Sequence, residues 1–138
     1  MSFVRALLHT PSPSTPLSRF NTLCGFFYLG VGLLNYFWPA NLQATLHTAA
    51  FAGREEGLMR LTGFSLAVIG YFYIFGSRTR SESFGLATVV DRLLVPAFLL
   101  PLGLSGAVEP VLAYAFSILD PVLGVIALLI WRRTRDRR

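Results

Sequence analysis

Four apolar runs, each about as long as a bilayer is thick, dominate this chain of 138 residues. They cover residues 20–38, about 57–76, about 84–104 and 110–131. At ~1.5 Å per helical residue, each run can cross a hydrocarbon core of about 30 Å. Soluble domains carry about 25 % charged residues, whereas this chain carries 14 %. The sequence therefore predicts an all-α integral membrane protein folded as a four-helix transmembrane bundle.

The segments outside the apolar runs are short. We interpret residues 1–19 as a polar cytoplasmic leader, residues 20–131 as the transmembrane domain and residues 132–138 as a basic cytoplasmic tail. A cleaved signal peptide is the alternative at the beginning of the chain, but the first run is long for one and no A-x-A site follows Trp38. Residues 40–51 are either a short interfacial helix or an ordinary loop.

The arginines are distributed unevenly between the two ends of the predicted bundle. An even number of spans places nine of the 12 basic residues at one end: Arg5, Arg19, Arg78, Arg80, Arg132, Arg133, Arg135, Arg137 and Arg138. The other end has Arg54, which lies beside acidic residues. The positive-inside rule then predicts cytoplasmic termini in a bacterial inner membrane. Because the charge lies in tails and loops, it indicates orientation and contact with membrane lipids rather than with nucleic acid.

Four charged residues fall inside the apolar runs: Arg60, Asp91, Arg92 and Asp120. Each costs about 2.5–3.5 kcal/mol on insertion scales, so each is expected to face the bundle interior and find a partner. We expect a buried salt bridge between Arg92 and Asp120, which lie at similar depths on sequential helices. Asp91 then reaches Arg60, Tyr71 or a water-filled cavity.

Small residues recur at helical spacing beside these charges and predict which faces pack inward. In the fourth run the stripe is Ala113, Ser117, Asp120, Gly124 and Ala127. In the second run it is Glu56, Arg60, Gly63, Ala67 and Gly70. Gly25 and Gly32 share a face of the first run. The candidate ligand-binding residues are therefore Arg60, Asp91, Arg92, Asp120, Tyr71 and Ser117.

The polar cluster supports several functions. Its four charges sum to zero, which suits a structural network, whereas a ligand site is the other interpretation. We favour a small accessory subunit, or a binder of lipid or quinone. The alternatives are a membrane isomerase or cyclase that uses Asp91 and Asp120 as acid and base, and a transporter or channel subunit. Besides membrane lipids, the expected partner is either a second copy of this chain or a different membrane subunit. The sequence contains no identifiable metal or cofactor motif.

Three runs of sequence resemble a known group: RLTGFSLAVIGYFYIFGSR, VVDRLLVP and LDPVLGVIALLIW. Together they are similar to the DoxX-like small bacterial four-helix membrane proteins, over about residues 20–131. Some members of that group are described as subunits of membrane oxidoreductase systems that act with quinone. The resemblance thus implies a quinone-related or partner-subunit role. It supplies no motif from which catalytic residues could be carried over.

Overall fold

The computed structural model describes residues 14–136, and over that range the chain is all-helical. The five helices are α1 (Pro16–Phe37), α2 (Pro39–Leu46), α3 (Glu55–Ser77), α4 (Glu82–Leu104) and α5 (Pro110–Arg135). All but α2 are long and apolar enough to cross a membrane. The predicted all-α four-helix architecture is confirmed, and it is that of a multi-pass membrane protein.

The helix ends follow local capping chemistry. Thr15 caps α1 by accepting a hydrogen bond at 3.1 Å from the N–H three residues on. The helix therefore begins inside the segment predicted to be a leader, and residues 1–13 lie outside the described range. Ser81 caps α4 in the same way at 3.2 Å. Pro110 opens α5, which continues to Arg135, so the predicted basic tail begins as helix.

The segment after α1 combines both structures that its sequence allows. Pro39 opens α2 directly after α1 ends, because its fixed φ suits the first helical turn. The short helix ends at His47, which adopts a left-handed conformation with φ 54°. The chain from there to Arg54 is loop, so the first part of residues 40–51 is helical and the rest is not.

Helices α1 and α3 pack backbone against backbone along a seam of four glycines. Gly25 and Gly32 on α1 face Gly70 and Gly63 on α3, so the two helices run antiparallel. A Cβ built on Gly25 would lie 2.8 Å from the Gly70 carbonyl oxygen, closer than real Cβ atoms come. Within lipid the hydrophobic effect does not drive helices together, so the van der Waals contacts of such a close approach supply the attraction. We call these four residues the glycine seam.

Helices α4 and α5 form the second tight pair, also antiparallel. A Cβ on Gly103 would lie 2.7 Å from the Cβ of Ala113, and one on Gly124 would lie 3.3 Å from that of Arg92. The predicted stripe of α5 is confirmed, because its five members are the buried residues of that helix. The two pairs meet over larger side chains, and this is where polar groups collect.

The interior is more polar than the outer surface. Buried polar residues within the described range are Ser18, Asn21, Asn35, Ser77, Thr88, Arg92, Ser117 and Asp120. Large apolar side chains point outward instead, among them Leu23, Phe98 and Ile118, each at least two-thirds exposed. A soluble protein rarely exposes so much contiguous apolar surface. This inverted distribution is what a hydrocarbon environment requires.

Candidate functional site

Three side-chain hydrogen bonds join the two helix pairs near the middle of the bundle. Tyr28 donates its hydroxyl to Asp120, Arg92 donates Nη1 to Asn21 Oδ1 at 3.2 Å, and Tyr73 donates its hydroxyl to Asp91 Oδ2 at 2.6 Å. Each bond joins a helix of the α1–α3 pair to a helix of the α4–α5 pair. We call the set the polar layer: Asn21, Tyr28, Tyr73, Asp91, Arg92 and Asp120.

Arg92 is the most deeply buried charge of the polar layer, with 1 % of its surface exposed. Its guanidinium lies 4.7 Å from the centre of the Tyr73 ring and 5.9 Å from that of Phe20. These contacts use the ring faces as weak acceptors. Within residues 14–136, Nε and Nη2 have no hydrogen-bond partner. A buried donor without an acceptor costs about 1–3 kcal/mol, and more when it is charged.

The predicted salt bridge between Arg92 and Asp120 is not formed. Both side chains are buried as expected, at 1 % and 7 % exposed. In the described part of the chain, however, the ion pair closer than 4.0 Å joins Arg60 to Glu56. Asp120 instead accepts from Tyr28, which reaches across from α1, while Arg92 turns toward Asn21. Polar groups on the first helix pair therefore accept from or donate to the charges on the second, although they satisfy only one nitrogen of Arg92.

Asp91 lies on the outer side of α4, where it is exposed. It lies one residue from Arg92, about 100° round the helix, and so cannot share its inward direction. Its partner is Tyr73, whose ring is buried and whose hydroxyl reaches outward to the carboxylate. Its hydrogen-bond partner is therefore neither Arg60 nor Tyr71, the two side chains expected, and a water-filled cavity beside Asp91 stays a prediction.

Three candidate residues lie outside the polar layer, and two of them, Arg60 and Tyr71, lie away from it. Arg60 is near the beginning of α3, where it donates to Glu56 at 2.7 Å and to the Tyr36 carbonyl oxygen at 2.7 Å. Tyr71 is 42 % exposed, and its ring packs 4.5 Å from that of Phe75 on the outer face of α3. Arg60 thus ties an end of the bundle together, and Tyr71 faces outward.

Ser117 lies on the same face of α5 as Asp120, one turn earlier. It is 7 % exposed, and its hydroxyl has no hydrogen-bond partner within the described residues. It therefore adds a donor and acceptor to the interior beside the polar layer. A role for Ser117 in binding a ligand stays a prediction.

Sequence reasoning did not single out Asn21, Tyr28 or Tyr73 as site residues. The signal that could have found Asn21 and Tyr28 is the inward-facing stripe of the first helix, which contains more residues than Gly25 and Gly32. Its buried members recur at spacings of 4, 3, 4 and 3: Asn21, Gly25, Tyr28, Gly32 and Asn35. Tyr73 likewise extends the stripe of α3 by three residues beyond Gly70. The same periodicity that found the glycines contains these polar residues.

A cavity of about 330 Å³ opens at the end of the bundle where most arginines lie. Its lining includes Thr15, Ser18, Asn21, Ser77, Arg80 and Arg135. Asn21 belongs to both the cavity wall and the polar layer, since its amide holds Arg92. Asp91 and Asp120 are not lining residues, so this cavity adjoins the polar layer at the side of Arg92.

In comparisons with known proteins, no family model matches this chain, and neither a curated protein nor a solved structure does. Within residues 14–136, no group of three His, Cys, Asp or Glu side chains is placed to hold a metal ion.

Proposed function

We propose that this protein is a small integral membrane protein, without catalytic activity of its own, that binds a lipid or quinone through its polar layer. It would act alone or as the accessory subunit of a membrane complex. One observation carries the proposal: Arg92 is almost completely buried, yet two of its three guanidinium nitrogens have no acceptor within the described residues. A ligand oxygen placed there would remove that deficit.

The chemistry of the guanidinium narrows the class of ligand. Arg92 offers only donors, and its planar group directs them at carbonyl, carboxylate or phosphate oxygens. Asn21 holds Nη1 at 3.2 Å and the Tyr73 ring supports the group from one side, so the two remaining nitrogens are oriented. A quinone carbonyl or a lipid ester carbonyl provides the acceptor, and its apolar remainder is soluble in the surrounding membrane.

The proposal includes an orientation. Six of the arginines in the described range lie at one end of the bundle: Arg19, Arg78, Arg80, Arg132, Arg133 and Arg135. Arg54 and Arg60 lie toward the other end, next to Glu55 and Glu56. By the positive-inside rule the first end, with both termini, faces the cytoplasm of a bacterial inner membrane.

The test compares wild type with Arg92→Met, using Arg60→Met as the matched control. Lipids and quinones are extracted from each purified protein and measured by mass spectrometry. We expect wild type and Arg60→Met to retain the same ligand in stoichiometric amount, and Arg92→Met to retain at least about tenfold less, since a charged hydrogen bond contributes roughly 1.5–3 kcal/mol.

A stability measurement separates binding from a structural role. Replacing a poorly compensated buried charge with an apolar side chain is often neutral or stabilising by about 1–4 kcal/mol. Ligand-stripped Arg92→Met is thus expected to unfold at the same or a higher denaturant concentration than ligand-stripped wild type. Wild type that carries no lipid or quinone, together with an unstable Arg92→Met protein, would contradict the proposal.

A second candidate function is proton transfer on an apolar substrate, as in a membrane isomerase or cyclase. The supporting observation is that two carboxylates, each bonded to a tyrosine, occupy different environments: Asp120 is buried and Asp91 is exposed. Carboxylates in unlike surroundings can divide acid and base work. Asp91→Asn should then abolish turnover and leave ligand retention intact, and undiminished turnover would exclude this candidate.

A further inference from the structure

The cavity at the arginine-rich end is built by four segments that converge there. They are the beginning of α1, the end of α3, the turn into α4 and the end of α5. Its volume of about 330 Å³ falls within the range of small-molecule sites, about 300–1,000 Å³. It opens at the end of the bundle, whereas Arg92 lies in the interior, so the two are separate places joined only through Asn21.

Two cations, Arg80 and Arg135, and one carboxylate, Glu82, line this cavity, so positive charge exceeds negative charge in its wall. Neither Arg80 nor Arg135 has a carboxylate within 4.0 Å in residues 14–136, and Arg80 Nε is buried without a hydrogen-bond partner. The lining carboxylate, Glu82, accepts from Trp131 Nε1 at 2.6 Å. Arg135 packs over the Trp131 ring at 5.4 Å, which holds it at the cavity. Residues 1–13 contain no Asp or Glu and so add no carboxylate side chain.

A buried hydroxyl supplies the second, independent observation. Ser77, the last residue of α3, lines the same cavity and is 3 % exposed. Its Oγ has no hydrogen-bond partner within the described residues. Buried side-chain polar atoms are nearly always satisfied, by protein, water or ligand. An unpartnered hydroxyl beside two uncompensated guanidinium groups is therefore short of an acceptor, and the acceptor that also satisfies the arginines is an anion.

We propose that this cavity binds a phosphate group, either the headgroup phosphate of an anionic lipid or free phosphate. Arg80 and Arg135 provide charge and several N–H donors, and Ser77 provides a hydroxyl donor from the cavity wall. A phosphate accepts from several directions at once, and arginine forks match its geometry. The site goes beyond the proposed function, because it needs neither Arg92 nor the rest of the polar layer.

The test compares a double variant that removes two positive charges from the cavity with a control double variant that removes two positive charges elsewhere. Arg80→Gln/Arg135→Gln removes both lining cations. Arg132→Gln/Arg133→Gln removes two exposed arginines from the same end of the bundle that do not line the cavity. The probes are dioctanoyl phosphatidylglycerol, inorganic phosphate and, as the phosphate-free comparison, dioctanoylglycerol. Binding to detergent-purified protein is measured by native mass spectrometry and calorimetry.

Loss of two charged contacts should weaken binding of the phosphate-bearing probe about tenfold or more in the first double variant, and by less than about twofold in the control. Phosphatidylglycerol that is displaced by inorganic phosphate identifies a lipid headgroup site. Binding of inorganic phosphate alone identifies free phosphate. The proposal is overturned if neither phosphate-bearing probe binds, if the cavity variant weakens binding of dioctanoylglycerol as much as that of phosphatidylglycerol, or if the control loses as much affinity as the cavity variant.

Ser77→Ala keeps the test decisive if the double variant does not fold. Because Ser77 Oγ makes no hydrogen bond within the described residues, the alanine variant should unfold at the same or a higher denaturant concentration than wild type. It should nevertheless bind the phosphate-bearing probe several-fold more weakly, and unchanged binding would overturn the role of Ser77. Arg92→Met should bind inorganic phosphate like wild type, because free phosphate has no apolar part to occupy the polar layer, and this separates the two sites.

Discussion

The glycine seam and the polar layer hold helices together by opposite means. Along the seam, side chains are absent, and the backbones of α1 and α3 come within contact distance of each other. Across the polar layer, tyrosine, asparagine, arginine and aspartate side chains bridge two helix pairs that otherwise touch less closely. The seam is held by close packing of two backbones, and the polar layer is held by hydrogen bonds between side chains.

The two regions also differ in whether they have free space and unpartnered polar groups for a further molecule. Added atoms have no room at the seam, since a Cβ on any of its four glycines would overlap the facing backbone. The polar layer and its surroundings instead retain unpartnered groups within the described range, among them Arg92 Nε, Arg92 Nη2 and Ser117 Oγ. The seam therefore stabilises the fold, and the unpartnered groups of the polar layer are where we propose that a ligand binds.

The largest expected effect comes from filling the seam. Gly32→Leu places a side chain against the backbone of Gly63 and Ala67, so α1 and α3 must separate and the folded state is lost. Gly30→Leu is the matched control, because a Cβ there meets nothing within 4 Å. Circular dichroism and size-exclusion chromatography in detergent distinguish the two. A folded Gly32→Leu protein with wild-type stability would contradict the backbone contact.

A smaller effect is expected from removing the acceptor of Tyr28. Asp120→Leu leaves the Tyr28 hydroxyl and the nearby Arg92 without that carboxylate, and should lower the free energy of unfolding by about 3 kcal/mol. Asp120→Asn preserves an acceptor, and Tyr28→Phe removes only the hydroxyl. We expect each to cost about 1 kcal/mol. An Asp120→Leu protein as stable as wild type would show that the carboxylate does not stabilise the layer.

Loss of the hydrogen bond between Tyr73 and Asp91 should lower the free energy of unfolding by a smaller amount. Tyr73→Phe removes the hydrogen bond to Asp91 but keeps the ring beneath Arg92. The loss should be close to that of the average interhelical hydrogen bond in a membrane protein, about 0.6 kcal/mol. Tyr71→Phe, on the outer face of the same helix, serves as the control and should change nothing. A loss for Tyr73→Phe larger than that for Tyr28→Phe would reverse our ranking of the two bonds.

The smallest effect belongs to the ion pair outside both regions. Arg60 and Glu56 have 40 % and 52 % of their side chains exposed, and they are spaced one helical turn apart. Glu56→Gln should lower the free energy of unfolding by about 0.3–0.5 kcal/mol at low salt, and by less at high salt. Equilibrium unfolding at two salt concentrations measures it. A cost above that of Tyr28→Phe would assign this end of the bundle a role that the exposure of the pair does not suggest.

The sequence alone predicts the four spans and the buried face of α5. Run length and periodicity encode these features locally. The α5 stripe succeeds because five small or polar residues occupy one face of a helix that is otherwise large and apolar. The predicted positions of the helix ends are less accurate. Helix α1 begins before the first apolar run and α5 ends after the last one, in polar residues that hydropathy assigns to the leader and the tail.

The partners inside the bundle could not be predicted in the same way. Opposite charge and similar depth favoured a pair between Arg92 and Asp120, but pairing also depends on what the neighbouring helices present. Tyr28 and Asn21 lie on the inward face of α1 and reach the two charges first. The end cavity likewise combines residues from α1, α3, α4 and α5, which no local pattern in the sequence brings together.

The close fit of α1 against α3 has a consequence for biogenesis. This pair is complete in the chain by Ser77, before a ribosome has translated Arg92 or Asp120. Chains generally fold in order from the amino terminus, so we expect the first hairpin to associate before the later charges enter the membrane. Asn21, Tyr28 and Tyr73 would then be in position to receive Arg92, Asp91 and Asp120 as α4 and α5 insert.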